Sequence, residues 1–305
     1  MYMKKTSTLI AIGIIIVAVA LYFWTLGPST KKPVTAVPPA TTATSGDTRA
    51  SAPQKKEDKT RTVIGTSVEK RAITAYHFGT GTKELLFVGG IHGGYEWNTT
   101  LVAYELMEYL KAHPSALPSK VTVTVIPVAN PDGLAKVISI SGPFVAAQVT
   151  ASKEVQVSGR FNANNVDLNR NFDCAWQEKA TWQSTPVSGG LRAFSEPESE
   201  ALKQYVETHS PAAVVVWFSS AGGVYASSCG SVILPETKVI NSLYAKASEY
   251  PAYNTFDAYE TTGDMPNWIS KNKIPAISVL LTNHQDIEWS KNWAGISALL
   301  AHYGK

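Results

Sequence analysis

The stretch IHGGYEWN, residues 91–98, places His92 and Glu96 on a glycine-rich turn directly behind the apolar run LLFVGG. Imidazole and carboxylate are both ordinary zinc donors, and a catalytic zinc takes three protein ligands and keeps one position open. On two residues alone, a structural His–Glu pair is the competing interpretation. Further along, GRFNANNVDLNRNF (159–172) concentrates Arg160, Asp167, Asn169 and Arg170. Arginine carries a planar fork of donors that matches a carboxylate, and an aspartate can orient a metal-bound imidazole through its second nitrogen. A third polar group ends the run VVVWFSSAGG (214–223), where Ser219 closes a buried-strand pattern.

These residues need elements to position them. VIGTSV (63–68), ITAYHF (73–78), ELLFVGG (84–90), VTVTVIPV (121–128), the run ending at Ser219 and IPAISVLL (274–281) read as strands. Amphipathic patterns predict helices over Leu101–Leu110, near Lys238–Ser248 and from Ser290 onward. SEPESEALKQYVETH (195–209) predicts another helix, with Ser195 and Glu198 at capping-box spacing and Pro197 in the first turn. Strands alternating with helices predict a single α/β domain whose central sheet is mixed and mostly parallel, flanked by helices. In such sheets, sites form at the carboxyl ends of strands, which is where the polar clusters fall.

Taken together, these stretches resemble the zinc carboxypeptidases of the carboxypeptidase A type, from about residue 62 to the C-terminus. The family's first zinc motif is a His, two residues and a Glu, often followed by Trp; HGGYEW is similar to it with one extra residue. The resemblance implies His92 and Glu96 as metal ligands, and Asn169 with Arg170 as a clamp for the C-terminal carboxylate of a peptide. It implies Arg160 as the arginine that polarises the scissile carbonyl. Tyr259, nine residues before Trp268 in YETTGDMPNW, resembles the family's mobile tyrosine. Side-chain preference in relatives depends on the residue two before that Trp, here the uncharged Pro266; Asp264 beside Gly263 reads as a turn residue.

Two positions depart from the resemblance. The third zinc ligand is a His at the end of a central strand, usually followed by Ser, and Ser219 stands in its expected place. The general base is a Glu in the last strand, and that strand carries Leu280. A serine hydroxyl is a poor zinc donor beside imidazole. Leucine accepts no proton, which removes a contribution of ~10²–10⁴-fold. Weak or absent zinc occupancy is therefore expected. His284, in TNHQDIEW, is a candidate replacement ligand, against the simpler reading of a loop histidine. Asp286 and Glu288 read as charge complementing a helix start. His77, His113, His209 and His302 lie on strand or helix patterns remote from the motifs.

Residues 8–27 are almost wholly apolar and uncharged, long enough at ~1.5 Å per residue to span a bilayer. They predict an N-terminal anchor (1–27), with a cleaved signal peptide as the alternative, followed by a Pro/Thr/Lys linker (28–60) and the folded domain (61–305). Either reading sends the domain out of the cytoplasm. The net charge of +3 misleads: residues 1–60 hold eight Lys/Arg against three Asp/Glu, and the remainder 19 against 21. The domain has no basic excess for nucleic acid. Cys174 and Cys229, the only cysteines, are expected to pair and brace the cleft. Three functions compete. One is an impaired carboxypeptidase that recognises peptide C-termini, cell-wall peptides among them. The others are an active zinc carboxypeptidase with an altered metal site and a purely structural or interaction domain.

Overall fold

The computed structural model describes residues 60–140, 142–230 and 232–305. The anchor and linker predictions fall on residues outside that range. Among the described residues, no helix is long and apolar enough to cross a membrane.

Eight strands form one sheet in the order β1-β2-β4-β3-β7-β10-β8-β9. They are β1 (Arg61–Thr66), β2 (Ala72–Phe78), β3 (Lys83–Val88), β4 (Val121–Ile126), β7 (Ala213–Ser219), β8 (Gly223–Ala226), β9 (Ala252–Tyr253) and β10 (Ala276–Leu281). The central pairs β4-β3, β3-β7 and β7-β10 are parallel, as is β8-β9, whereas β1-β2, β2-β4 and β8-β10 are antiparallel. Every residue of β7 is buried, because helices cover both faces of a parallel core strand and leave no polar side to alternate with.

Its side chains nonetheless divide strictly between the faces. Val215 and Trp217 pack under α1 (Trp97–Ala112), α5 (Pro235–Ser248) and α7 (Trp289–Tyr303). Val214, Val216 and Phe218 pack on the other face, under α4 (Pro197–His209) and α6 (Met265–Lys271). Fully burying each such side chain contributes about 1.5–3 kcal/mol. Two short helices, α2 (Pro131–Ala135) and α3 (Lys153–Ser158), and a separate hairpin, β5 (Lys179–Trp182) with β6 (Thr185–Ser188), complete the set used below.

Two local expectations are corrected. The capping box does not form: α4 starts at Pro197 with Glu196 at its cap position and no side-chain cap bond. Ser195 instead donates to Glu196, and the Glu198 carboxylate receives the Val68 N–H at 3.1 Å and the Asn162 amide at 3.2 Å. Partners from distant loops outcompete the local cap. The same contacts end β1 at Thr66 rather than residue 68, since Ser67 turns away to donate to Asp132 at 2.6 Å.

Candidate functional site

The cleft lies at the carboxyl ends of the parallel strands. After β3 the chain turns through Gly89–Gly94, and Gly93 must be glycine. Its φ is +45°, and a Cβ there would meet the Gly159 carbonyl oxygen at 2.6 Å. That turn delivers His92, and Glu96 follows at the cap of α1. His92 Nδ1 lies 2.9 Å from Glu96 Oε1 and its Nε2 lies 3.5 Å from Asp167 Oδ1, all three side chains being buried. The angles make no hydrogen bond to either ring nitrogen, and Glu96 Oε2 is also buried without a partner. His92 thus sits between two carboxylates, within ion-pair distance of each.

Asp167 carries the opposite end of this group. Burial alone would raise its pKa, but the Arg160 guanidinium and the His92 ring overcome burial and hold the carboxylate well below the ordinary range. Arg160 donates through Nε at 2.9 Å, and its Nη2 lies 2.8 Å from the same Asp167 oxygen. The guanidinium also sits 4.4 Å from the centre of the Trp182 ring, on the β5–β6 hairpin.

Asn169 and Arg170 follow on one turn of 3₁₀ helix, Leu168–Arg170. Arg170 donates from Nε to the Thr181 carbonyl (3.0 Å) and from Nη1 to the Asn169 carbonyl (2.8 Å), while Nη2 is buried and unpartnered. Asn169 donates to Asp264 at 3.0 Å and accepts from the Met265 N–H at 3.0 Å. Asp264 also caps α6 by accepting from Asn267 N–H, and burial raises its pKa. The pocket beside Arg170 is lined by Asn169, Tyr259, Asp264, Phe218 and Leu280. Tyr259 lies 5.9 Å from the Arg170 guanidinium. The outer cleft continues past Tyr95, Trp182, Ser219 and His284. The Cys174–Cys229 disulfide is formed as expected, tying the segment after Arg170 to the segment after β8.

A family model described as zinc carboxypeptidase matches residues 50–279. The chain belongs to the zinc carboxypeptidase family. Among characterised relatives, it is 27% identical over 221 residues to gamma-D-glutamyl-L-diamino acid endopeptidase 1 of Lysinibacillus sphaericus, covering 65% of this chain and 54% of that protein. It is 31% identical over 133 residues to murein peptide amidase A of Escherichia coli K12, covering 40% of this chain and 51% of that one. The chain therefore spans about half the length of these relatives. The fold is similar to that of bovine thrombin-activatable fibrinolysis inhibitor, solved with tick carboxypeptidase inhibitor (TM-score 0.64, 17% identity, 80% of this chain and 89% of that one). It is also similar to murein-tripeptide amidase from Escherichia coli O157 (TM-score 0.54, 22% identity, 79% and 91%).

Zinc carboxypeptidases need a metal seat, and the residues present do not complete one. His92 and Glu96 supply two donors. The Ser219 hydroxyl donates instead to Asn98 Oδ1 at 2.8 Å, and Asn98 belongs to α1. Among the described residues, no three His, Cys, Asp or Glu side chains converge closely enough to hold a metal ion. Leu280 is 8% exposed and faces the cleft as hydrocarbon. In the parallel register Leu280 lies beside Phe218, whereas Ser219 lies beside Leu281. Neighbours in register share a face of the sheet, so Ser219 and Leu280 point to opposite faces.

His284 sits at the cleft wall, its ring 4.6 Å from Tyr95, with Nδ1 buried and unpartnered and its pKa lowered by burial. Asp286 accepts from the Asn283 side chain, and Glu288 accepts from Tyr250 and Thr282; both hold the turn before α7. Pro266 lies buried in the first turn of α6. Asp264 is more than a turn residue, since its carboxylate bridges Asn169 to the start of α6. Three side chains of the cleft escaped the sequence: Asn98, Phe218 and Trp182. Trp182 had no signal to offer, because its hairpin turns through Gln183 at φ +54°, a conformation that glycine or asparagine normally announces.

Proposed function

We propose that this chain is a membrane-tethered, extracytoplasmic receptor for peptide C-termini that keeps the binding half of a carboxypeptidase site and has lost most of its hydrolytic capacity. The supporting observation is Arg170. Its guanidinium is buried, forms no ion pair among the described residues, and leaves Nη2 unpartnered beside the pocket. Its opposing charges, the carboxylates of Asp264 and Asp167, act on it without forming an ion pair. An incompletely matched buried cation is costly, and a ligand carboxylate offsets that cost. The name of one relative, murein peptide amidase A, points to murein peptides as the ligand class. Residues 8–27 are the proposed tether, and Leu280 at the general-base position is the reason for the impairment.

The test is calorimetry on the full-length chain with a murein tripeptide bearing a free C-terminal carboxylate, beside its C-terminal amide. The amide should bind at least tenfold more weakly, about 1.4 kcal/mol, and Arg170→Gln should abolish the difference. Equal affinity for acid and amide defeats the proposal; no binding of either favours a structural domain. A second reading, a working zinc hydrolase with an altered site, draws on His92 Nδ1, Glu96 Oε2 and His284 Nδ1, three donor atoms that are buried and unpartnered. Hydrolysis by the unaltered chain, abolished by a chelator and by His284→Ala, would establish it.

A further inference from the structure

We propose that the place of the missing third ligand is held by Phe218 and not by Ser219, and that Phe218 with Leu280 forms an apolar plug over His92 where a metal would sit. The register of the sheet carries the argument. Phe218 pairs with Leu280 across parallel β7 and β10, so both side chains project from the same face. They belong to the same cluster as Val216 and Met265, and both line the pocket that also contains His92 and Glu96. The Phe218 ring lies directly against the imidazole, with centroids 5.6 Å apart and planes inclined at 51°.

Ser219 belongs to the other face. Its partner in register, Leu281, packs in the cluster beneath α1, α5 and α7, and its hydroxyl is held by Asn98 on α1. Ser219 borders the same pocket, but a histidine substituted there would start from the face that carries Asn98 and not from the face that Phe218 shares with Leu280. Phe218 and Ser219 are each followed by a serine, so sequence context does not separate them and the register of the sheet does. Phenyl and isobutyl groups offer a metal no lone pair. Both metal-facing positions have therefore changed to hydrocarbon, and the two that remain, His92 and Glu96, lie under an apolar cover.

The inference rests on reading the cleft as a carboxypeptidase site without its metal seat, and metal uptake tests it separately from peptide binding. Two double variants of the full-length chain, Phe218→His with Leu280→Glu and Ser219→His with Leu280→Glu, are dialysed against micromolar zinc and their zinc content is measured. Expected are near one zinc per chain for the first and near none for the second. Equal uptake, the reverse order, or no uptake by a folded Phe218→His variant overturns the proposal. Should that variant not fold, the rate at which diethyl pyrocarbonate modifies His92 decides. Phe218→Ala should raise it at least tenfold and Ser219→Ala should leave it unchanged; equal rates in the two variants overturn the plug. Peptide binding that fails to distinguish acid from amide would defeat the receptor reading and leave this inference standing.

Discussion

Arg160 and Arg170 are equally buried, at 1% exposure each, and stand ten residues apart in one segment, yet their surroundings are opposite. Arg160 has its counter-charge within the fold, Asp167, and an aromatic ring over its plane. Arg170 donates to backbone carbonyls, has the Tyr259 ring 5.9 Å away and the Asp264 carboxylate nearby, and forms no ion pair among the described residues. A buried cation already matched to a carboxylate is a brace. One without an ion pair, beside space that a ligand can enter, suits the carboxylate-binding role proposed above. A related division runs through the cleft: polar groups surround Arg170, whereas the hydrocarbon of Phe218 and Leu280 lies beside His92 and Glu96.

Removing the counter-charge should break the brace with the largest effect. Asp167→Asn leaves Arg160 buried with only the long 3.9 Å contact to Glu96, and stability measured by urea unfolding should fall by about 3–5 kcal/mol. Arg170→Met removes no ion pair, so stability should change by no more than about 1 kcal/mol. The preference for a free C-terminal carboxylate should nevertheless disappear in calorimetry. A stability loss as large as that of Asp167→Asn would erase the distinction between the two arginines. Trp182→Ala strips the aromatic cover from Arg160 and should cost about 1–2 kcal/mol, without altering that preference.

The smallest effect is a pH dependence at Asp264, next to the clamp. Burial raises its folded pKa above the unfolded value of about 3.9. Ionising it therefore costs stability above the folded pKa, and the cost is relieved as the pH falls through that value towards 4. Asp264→Asn has no charge to lose. Its stability relative to the unaltered chain should be most favourable at pH 7 and decline as the pH approaches 4, read from urea midpoints at each pH. A difference independent of pH would mean that Asp264 acts only through its hydrogen bonds to Asn169 and Asn267.

Much of this molecule was legible in its residues. The long apolar runs of β3, β4, β7 and β10 identified core strands because both faces of a parallel strand are covered. The turn after β3 was marked by glycines that backbone geometry demands, and Asp167, Asn169 and Arg170 by a density of polar groups that a loop has no structural need for. The disulfide followed from the count of two cysteines. The capping box at Ser195 failed because Asn162 and Val68, 36 and 130 residues before Glu198, claim its carboxylate. No local pattern contains that information.

Fold class and the chemical types available to the cleft were thus determined by the sequence itself, through hydrophobic periodicity and a few polar residues, and the family was legible as a resemblance of motifs. Tertiary structure alone decided which side chains face one another. A strand's residues alternate between faces, so a displacement of one position exchanges Phe218 for Ser219, and only pairing with β10 says which shares a face with Leu280. It also decided that Arg160 is ion-paired while Arg170, among the described residues, is not, because charge compensation depends on distances between segments that meet only in the folded chain.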